Sequence, residues 1–383
     1  MAKIRNVSIV GIIILSLALT SCAKRSDSAA SGEQIKVTST NSECKLSKVE
    51  YPAGNITFSV SNEGSSVTEF YIIKEDGKTV VSEVENIGPK LSRDLIVRLN
   101  GGKFFAVCKP GMKGDGIDVP LTVTGGTSPL SAADEAALKT ASENYAAFVL
   151  DESTTLVKLT KEFAATFLAG NDDLARKLYP DARMPWERIE PVAESFGDLD
   201  PRLDLREADL ETGQTWTGWH RIEKDLWPPA TGYTQMTSAE RVAATKILVD
   251  NTEELFNRVQ DLSFEPFQMA NGAKELLDEV ATGKVTGEEE IWSGTDLWDF
   301  QANVEGADKV FTFLESVVKN RDPKLASQLS SEFENIFTLL GKFKTSTGFT
   351  FYSELTQDQI KEFASAVNAL AEPLSKLTAV VTM

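Results

Sequence analysis

From Ile35 to Thr124 the chain alternates apolar and polar positions in short runs: IKVTST, NITFSVSNEG, EFYIIKEDG, TVVSEVENIG, DLIVRLNGGKFFAVCKPG and DVPLTVTG. A period of two sends successive side chains to opposite faces of a strand, and each run stops near Gly, Asn or Pro. The pattern predicts a small all-β sandwich over residues 35–125. After Thr127-Ser128-Pro129, which reads as a hinge, the period changes. AADEAALKTASENYAAFVLDESTTLVKLTKEFAATFLAG, SAERVAATKILVDNTEELFNRVQDL, ANVEGADKVFTFLESVVKN, SSEFENIFTLLGKF and DQIKEFASAVNALAEPLSKLTAVV place apolar residues three and four apart, which is one face of a helix. About five long helices with short connections predict an up-and-down all-α bundle over residues 130–383.

Ahead of both domains, an apolar run from Val7 to Leu19 follows Lys3 and Arg5 and ends in Leu19-Thr20-Ser21-Cys22. The run is too short and wrongly flanked for a lasting membrane span, and it fits a secretory signal. A leucine, two small residues and a cysteine make the bacterial lipoprotein cleavage pattern. Residues 1–21 are therefore expected to be removed and Cys22 to be lipidated, holding the protein to the membrane in the periplasm or cell envelope. Residues 22–34, polar and serine-rich, are expected to tether the sandwich. The formal charge of −18 becomes −20 once Lys3 and Arg5 leave with the signal. Such a chain repels nucleic acid and anionic headgroups and attracts cations.

Cys44 and Cys108 lie in the sandwich, outside the cytoplasm. Oxidised, they would staple the domain; reduced, they could hold copper with Glu69. The oxidising compartment favours the staple. A blue-copper centre is excluded, because it needs two histidines and none occurs between residues 23 and 219.

The chain holds one histidine, His220, in GWHRIEKDLW. Glu223 follows at i+3, so on a helix the two share a face. Glu187 and Glu190 have the same spacing in MPWERIEPVAESFGDLDPRLDLRE, and Asp204 lies between the two motifs. The run TGEEEIWSGTD adds Glu288, Glu289, Glu290 and Asp296, any of which could close the shell. Helices that each carry a spaced ligand pair are how bundles build metal sites in their cores. One imidazole among carboxylates is a hard set suited to iron, as Fe3+ or Fe2+, although zinc and copper also bind imidazole. Peptidase patterns fail: H-E-x-x-H and H-x-x-E-H each need two histidines, and G-x-S-x-G is absent. Trp186, Trp216, Trp219, Trp227, Trp292 and Trp298 crowd the same motifs and could stack sugars, but tryptophans in helix-rich segments more often fill the core.

In their order and spacing, MPWERIEPVAESFGDLDPRLDLRE, TGWHRIEKDLW and KVTGEEEIWSGTDLWDFQANVEGADKVF resemble the imelysin-like domain of the EfeO family, the extracytoplasmic component of a bacterial iron transporter. The sandwich resembles that family's cupredoxin-like domain. The resemblance implies a multidomain fold, a cupredoxin-like sandwich followed by an imelysin-like helical bundle. It implies a protein without turnover that captures iron and delivers it to an EfeU-like permease, with an EfeB-like haem peroxidase as companion. The ligands it implies match His220, Glu223, Glu187, Glu190, Asp204 and the Glu288–Glu289 region. A second site on the family pattern matches Cys44, Glu69 and Cys108. Alternatives from other classes are a ferroxidase or imelysin-type peptidase, and metal-bridged binding of an acidic polysaccharide.

Overall fold

The computed structural model describes residues 33–77, 79–126, 130–282 and 284–383. The predicted signal, Cys22 and the hinge Thr127–Pro129 lie outside the described residues. Nine strands come first: β1 (Glu33–Ser39), β2 (Cys44–Leu46), β3 (Glu50–Pro52), β4 (Gly54–Asn62), β5 (Thr68–Lys74), β6 (Val80–Ile87), β7 (Ser92–Leu99), β8 (Gly102–Pro110) and β9 (Ile117–Thr124). They form two sheets, ordered β2-β1-β4-β7 and β3-β9-β8-β5-β6. Pairs β1/β4 and β3/β9 are parallel and the others antiparallel. The alternating residues meet between the sheets, where Ile35, Val37, Ile56, Phe58, Val60, Phe70 and Val97 are almost fully buried. Strand β1 takes in Glu33 and Gln34 from the predicted tether, because both pair in register with Ile56 and Thr57 of β4. A ladder of backbone hydrogen bonds holds them whatever their side chains.

The helical domain contains α1 (Ala132–Leu168), α2 (Asp172–Ile189), α3 (Leu199–Asp204), α4 (Trp219–Leu226), α5 (Ser238–Val259), α6 (Pro266–Thr282), α7 (Asp296–Arg321), α8 (Pro323–Gly341), α9 (Gln357–Leu374) and α10 (Leu377–Thr382). A 3-10 segment, Glu190–Phe196, continues from α2. Two long helices, α2 and α6, exceed the predicted set. Helix α2 hides behind Pro180 and Pro185, both inside it, each of which removes a backbone donor. Among the described residues no helix is long and apolar enough to cross a membrane.

The two domains share packing. Phe267 of α6 belongs to the sandwich core, and the next turn's Asn271 donates to Ser82 Oγ at 2.8 Å and to the Ile96 carbonyl at 2.9 Å. The Thr382 carbonyl of α10 accepts from Asn55 at 2.6 Å. Helix α6 also lies hard against the 3-10 segment: a Cβ on Gly272 would sit 1.6 Å from the Pro191 carbonyl oxygen, so only glycine fits.

Candidate metal centre

His220 sits in the first turn of α4. The chain enters that helix through Gly218 at φ +89, where a Cβ would lie 2.0 Å from the Leu203 carbonyl. Glycine alone permits both the left-handed turn and the close approach, and this contact brings α4 against the end of α3 that carries Asp204. The imidazole is fully buried. Its two nitrogens face different partners. On one side, Nδ1 donates to Glu223 Oε2 at 3.2 Å and lies 3.6 Å from Glu290 Oε1. On the other, Nε2 lies 3.4 Å from Asp204 Oδ1 and 3.5 Å from Glu289 Oε1, and it makes no hydrogen bond. Asp204, His220 and Glu289 offer one ligand atom each within 4.8 Å of one another; His220, Glu223 and Glu290 do the same on the Nδ1 side.

The two sides differ in what is left to give. Glu223 is occupied: its Oε1 accepts from the backbone amides of Trp292 at 3.0 Å and Ser293 at 2.7 Å, while Oε2 takes His220 Nδ1. Glu290 accepts from Tyr179 at 3.1 Å and Ser293 Oγ at 2.6 Å. A carboxylate holding Nδ1–H fixes the tautomer and aims the Nε2 lone pair, the arrangement that accompanies metal-binding histidines. Asp204 also accepts, from Arg183 and from Trp186 Nε1 at 2.8 Å, so the sides differ in the imidazole itself: only Nε2 is without a hydrogen-bond partner, which suits that side to a hard cation, with Asp204 and Glu289 as its oxygens and Glu223 as the group that orients the ring. Asp204 and Glu289 also line a cavity of about 250 Å³ between the domains, which offers a path for an ion.

Two buried cations sit inside this acidic shell, and the sequence reading did not find either. The Arg183 guanidinium, on α2, contacts Asp204 through Nη1 and Glu187 through Nη2 at 2.5 Å, and lies 2.9 Å from Glu290 and 3.5 Å from Asp299 through Nε. Lys284 Nζ holds Glu187 at 2.9 Å and Glu190 at 2.8 Å. Asn303 of α7 donates to both of those glutamates, at 3.0 and 2.6 Å. The spacing of Arg183 to Glu187, four residues on one helix, was a readable sign, and Lys284 stands in the KVTGEEE stretch itself.

These pairings revise the expected ligand set. Glu187 and Glu190 do not face His220 as a pair of ligands; they are spent on Lys284, Arg183 and Asn303, because a buried carboxylate must find a counter-charge. Glu190 is not on α2 with Glu187 but begins the 3-10 segment. Glu288 is exposed, whereas Glu289 and Glu290 are buried on either side of His220. Burial and the Arg183 charge lower the His220 pKa, but Asp204, Glu223 and Glu289 outweigh them and hold it well above its ordinary value, so in the empty centre Nε2 carries a proton that a cation must displace to reach the lone pair. Burial raises the Glu289 carboxyl, yet Lys284, His220 and Arg183 bring it below the usual carboxylate range. Asp204 is likewise lowered, with Arg183 and His220 overcoming burial.

The second expected site does not assemble. Cys44 and Cys108 form a disulfide that joins the two sheets. Glu69 lies across from Lys109, while its neighbour Phe70 lies across from Cys108 and shares the core with it. Strand alternation thus turns Glu69 to the other face, where it accepts from Tyr71 at 2.5 Å and pairs with Lys109 at 3.5 Å. Of the tryptophans, Trp186, Trp219 and Trp298 are buried and Trp216, Trp227 and Trp292 half-buried; Trp216 packs against Trp292 and lies under Arg221 and Lys224.

Fold and centre together define a class, a cupredoxin-like sandwich joined to an imelysin-type bundle that buries one histidine among carboxylates. The imelysin family model matches residues 141–377, and the model of the cupredoxin-like domain matches residues 11–123. Over 358 residues the chain is 36% identical to the iron uptake system component EfeO of Escherichia coli (strain K12), covering 92% of each chain. It is 35% identical over 356 residues to that of Yersinia pestis, again covering 92% of each. The chain belongs to the EfeO family of two-domain imelysin proteins.

Proposed function

We propose that the protein captures iron outside the cytoplasmic membrane and passes it to a membrane permease of an iron uptake system, without chemical turnover. One observation carries the reading: a fully buried imidazole whose Nε2 has no hydrogen-bond partner and faces Asp204 and Glu289 at the edge of an acid-lined cavity. The relatives named as iron uptake components supply the ion. A nitrogen and two carboxylate oxygens suit iron in either oxidation state and leave positions for water or a carried ligand. Arg183 and Lys284 balance part of the negative charge, so the centre can exist both empty and loaded, as a carrier must. Lipidation at Cys22, an EfeU-like permease and an EfeB-like haem peroxidase complete the proposal.

The peptidase alternative lacks a second imidazole, and a copper-thiolate ferroxidase lacks free sulfurs while the disulfide stands. Sugar binding finds no support: Trp186, Trp219 and Trp298 are buried, and of the half-buried indoles Trp216 and Trp292 pack on each other beside Lys224 and Trp227 packs on Tyr179. Titrating the full chain with iron tests the proposal. Asp204→Asn with Glu289→Gln should weaken binding by more than about 100-fold, beyond the loss that follows removal of an orienting group alone. Unchanged affinity in that double variant would remove the centre.

A further inference from the structure

The face between sandwich and bundle carries another acidic cluster. Glu83 and Glu85 stand two residues apart on β6, so strand geometry turns both to the same side. That side also bears Tyr71, which pairs with Glu83 across the sheet. Glu194, from the 3-10 segment of the bundle, meets them there, and the three carboxylates offer oxygens within 4.8 Å of one another. Among the described residues none of the three forms an ion pair with lysine or arginine; the adjacent Lys109 is taken by Glu69. Glu83 Oε2 is fully buried and accepts no hydrogen bond. Burial, then repulsion from neighbouring carboxylates, pushes all three carboxyls up, Glu194 to about 7.

The histidine centre is built differently. There, Arg183 and Lys284 neutralise the carboxylates from within. Here the one cationic charge that reaches the cluster is that of Lys109 on Glu194, and it is shared with Glu69 and does not overcome burial; like charges gathered in a half-buried site ionise together only beside a cation. The cluster also opens onto the same cavity of about 250 Å³, whose wall runs through Asp200 and Glu279 to Asp204 and Glu289. An ion resting at the domain face would have acidic oxygens along its way to His220.

We propose that Glu83, Glu85 and Glu194 form a second cation site, built half by each domain, that takes a hard divalent metal and feeds the cavity leading to His220. The site stands on its own geometry; it rests on the iron reading only for the identity of the ion and its destination. Equilibrium dialysis of the full chain against Mn(II) tests it. The wild-type chain should bind two equivalents, and Glu83→Gln with Glu85→Gln and Glu194→Gln should bind one. Asp204→Asn with Glu289→Gln should keep the interface equivalent and lose the other. If the triple variant binds as the wild type does, the interface site is wrong; if only the triple variant loses an ion, the interface site stands and the histidine centre falls. Anomalous scattering from a Mn(II)-soaked crystal of the unmutated chain tests the same site without any variant: a peak between Glu83 and Glu194 supports it, and its absence at saturating metal overturns it.

Discussion

At the scale of single residues, the two nitrogens of His220 divide the labour: Nδ1 is held and Nε2 is offered. Glu223, part of the H-x-x-E spacing that first draws attention, then acts through the ring. Replacing it should cost what removal of an orienting group costs. Glu223→Gln is expected to lower iron affinity about 10–100-fold while keeping an iron-to-nitrogen bond visible by X-ray absorption; loss of that bond would make Glu223 indispensable to the ring's pose. Asp296 gives a pH test. Burial pushes its carboxyl from 3.8 to about 7, and its Oδ2 is enclosed without a partner. A folded value above the unfolded one means that the native state keeps a proton the unfolded chain releases. The associated stability is complete below the unfolded value and disappears as pH rises through the folded one. Asp296→Asn should therefore gain melting temperature on the wild type between pH 5 and pH 8, measured with chelator; a difference that does not change with pH would contradict this.

At the scale of elements, most of the sandwich was legible because its strands obey period two and break at turn residues. Five helices were legible for the same reason at period 3.6, while the prolines of α2 masked a helix that tertiary packing imposes. His220 and Asp204 stood among the candidates in their motifs, but Glu289 could not be told from Glu288 there, because which of the two is buried depends on the fold. What could not be read was the sharing of charge: which carboxylates Arg183 and Lys284 claim depends on how α2, α7 and the segment around Lys284 meet. Strand parity did hold a clue that Glu69 faces away from Cys108, since Phe70 and Ile72, two positions apart, mark the inward face and Glu69 falls on the other. The junction of α6 with the 3-10 segment makes a sharp prediction. Gly272→Ala forces a Cβ into the Pro191 carbonyl, and overpacking of that kind costs about 1–3 kcal/mol. The loss should appear as a lower melting temperature of the helical domain; a variant as stable as the wild type would mean that the helix shifts freely there.

At the scale of the whole molecule, two domains close over one acid-lined cavity, and the disulfide holds the sandwich that forms one wall. Cys44 and Cys108 are 64 residues apart in sequence. Opening such a loop costs about 2–4 kcal/mol. Cys44→Ser with Cys108→Ser should lower the melting temperature of the sandwich and leave iron bound at His220 with its affinity intact. A large drop in iron affinity would return the sulfurs to the metal chemistry. Everything above turns on where the iron sits. Diffraction from a crystal of the full chain soaked in iron, measured on both sides of the iron absorption edge, tests it most directly. An anomalous peak is expected on the Nε2 side of His220, bonded to Asp204 and Glu289. A peak among Glu187, Glu190 and Lys284 instead, or no peak within bonding reach of His220 Nε2, would contradict it.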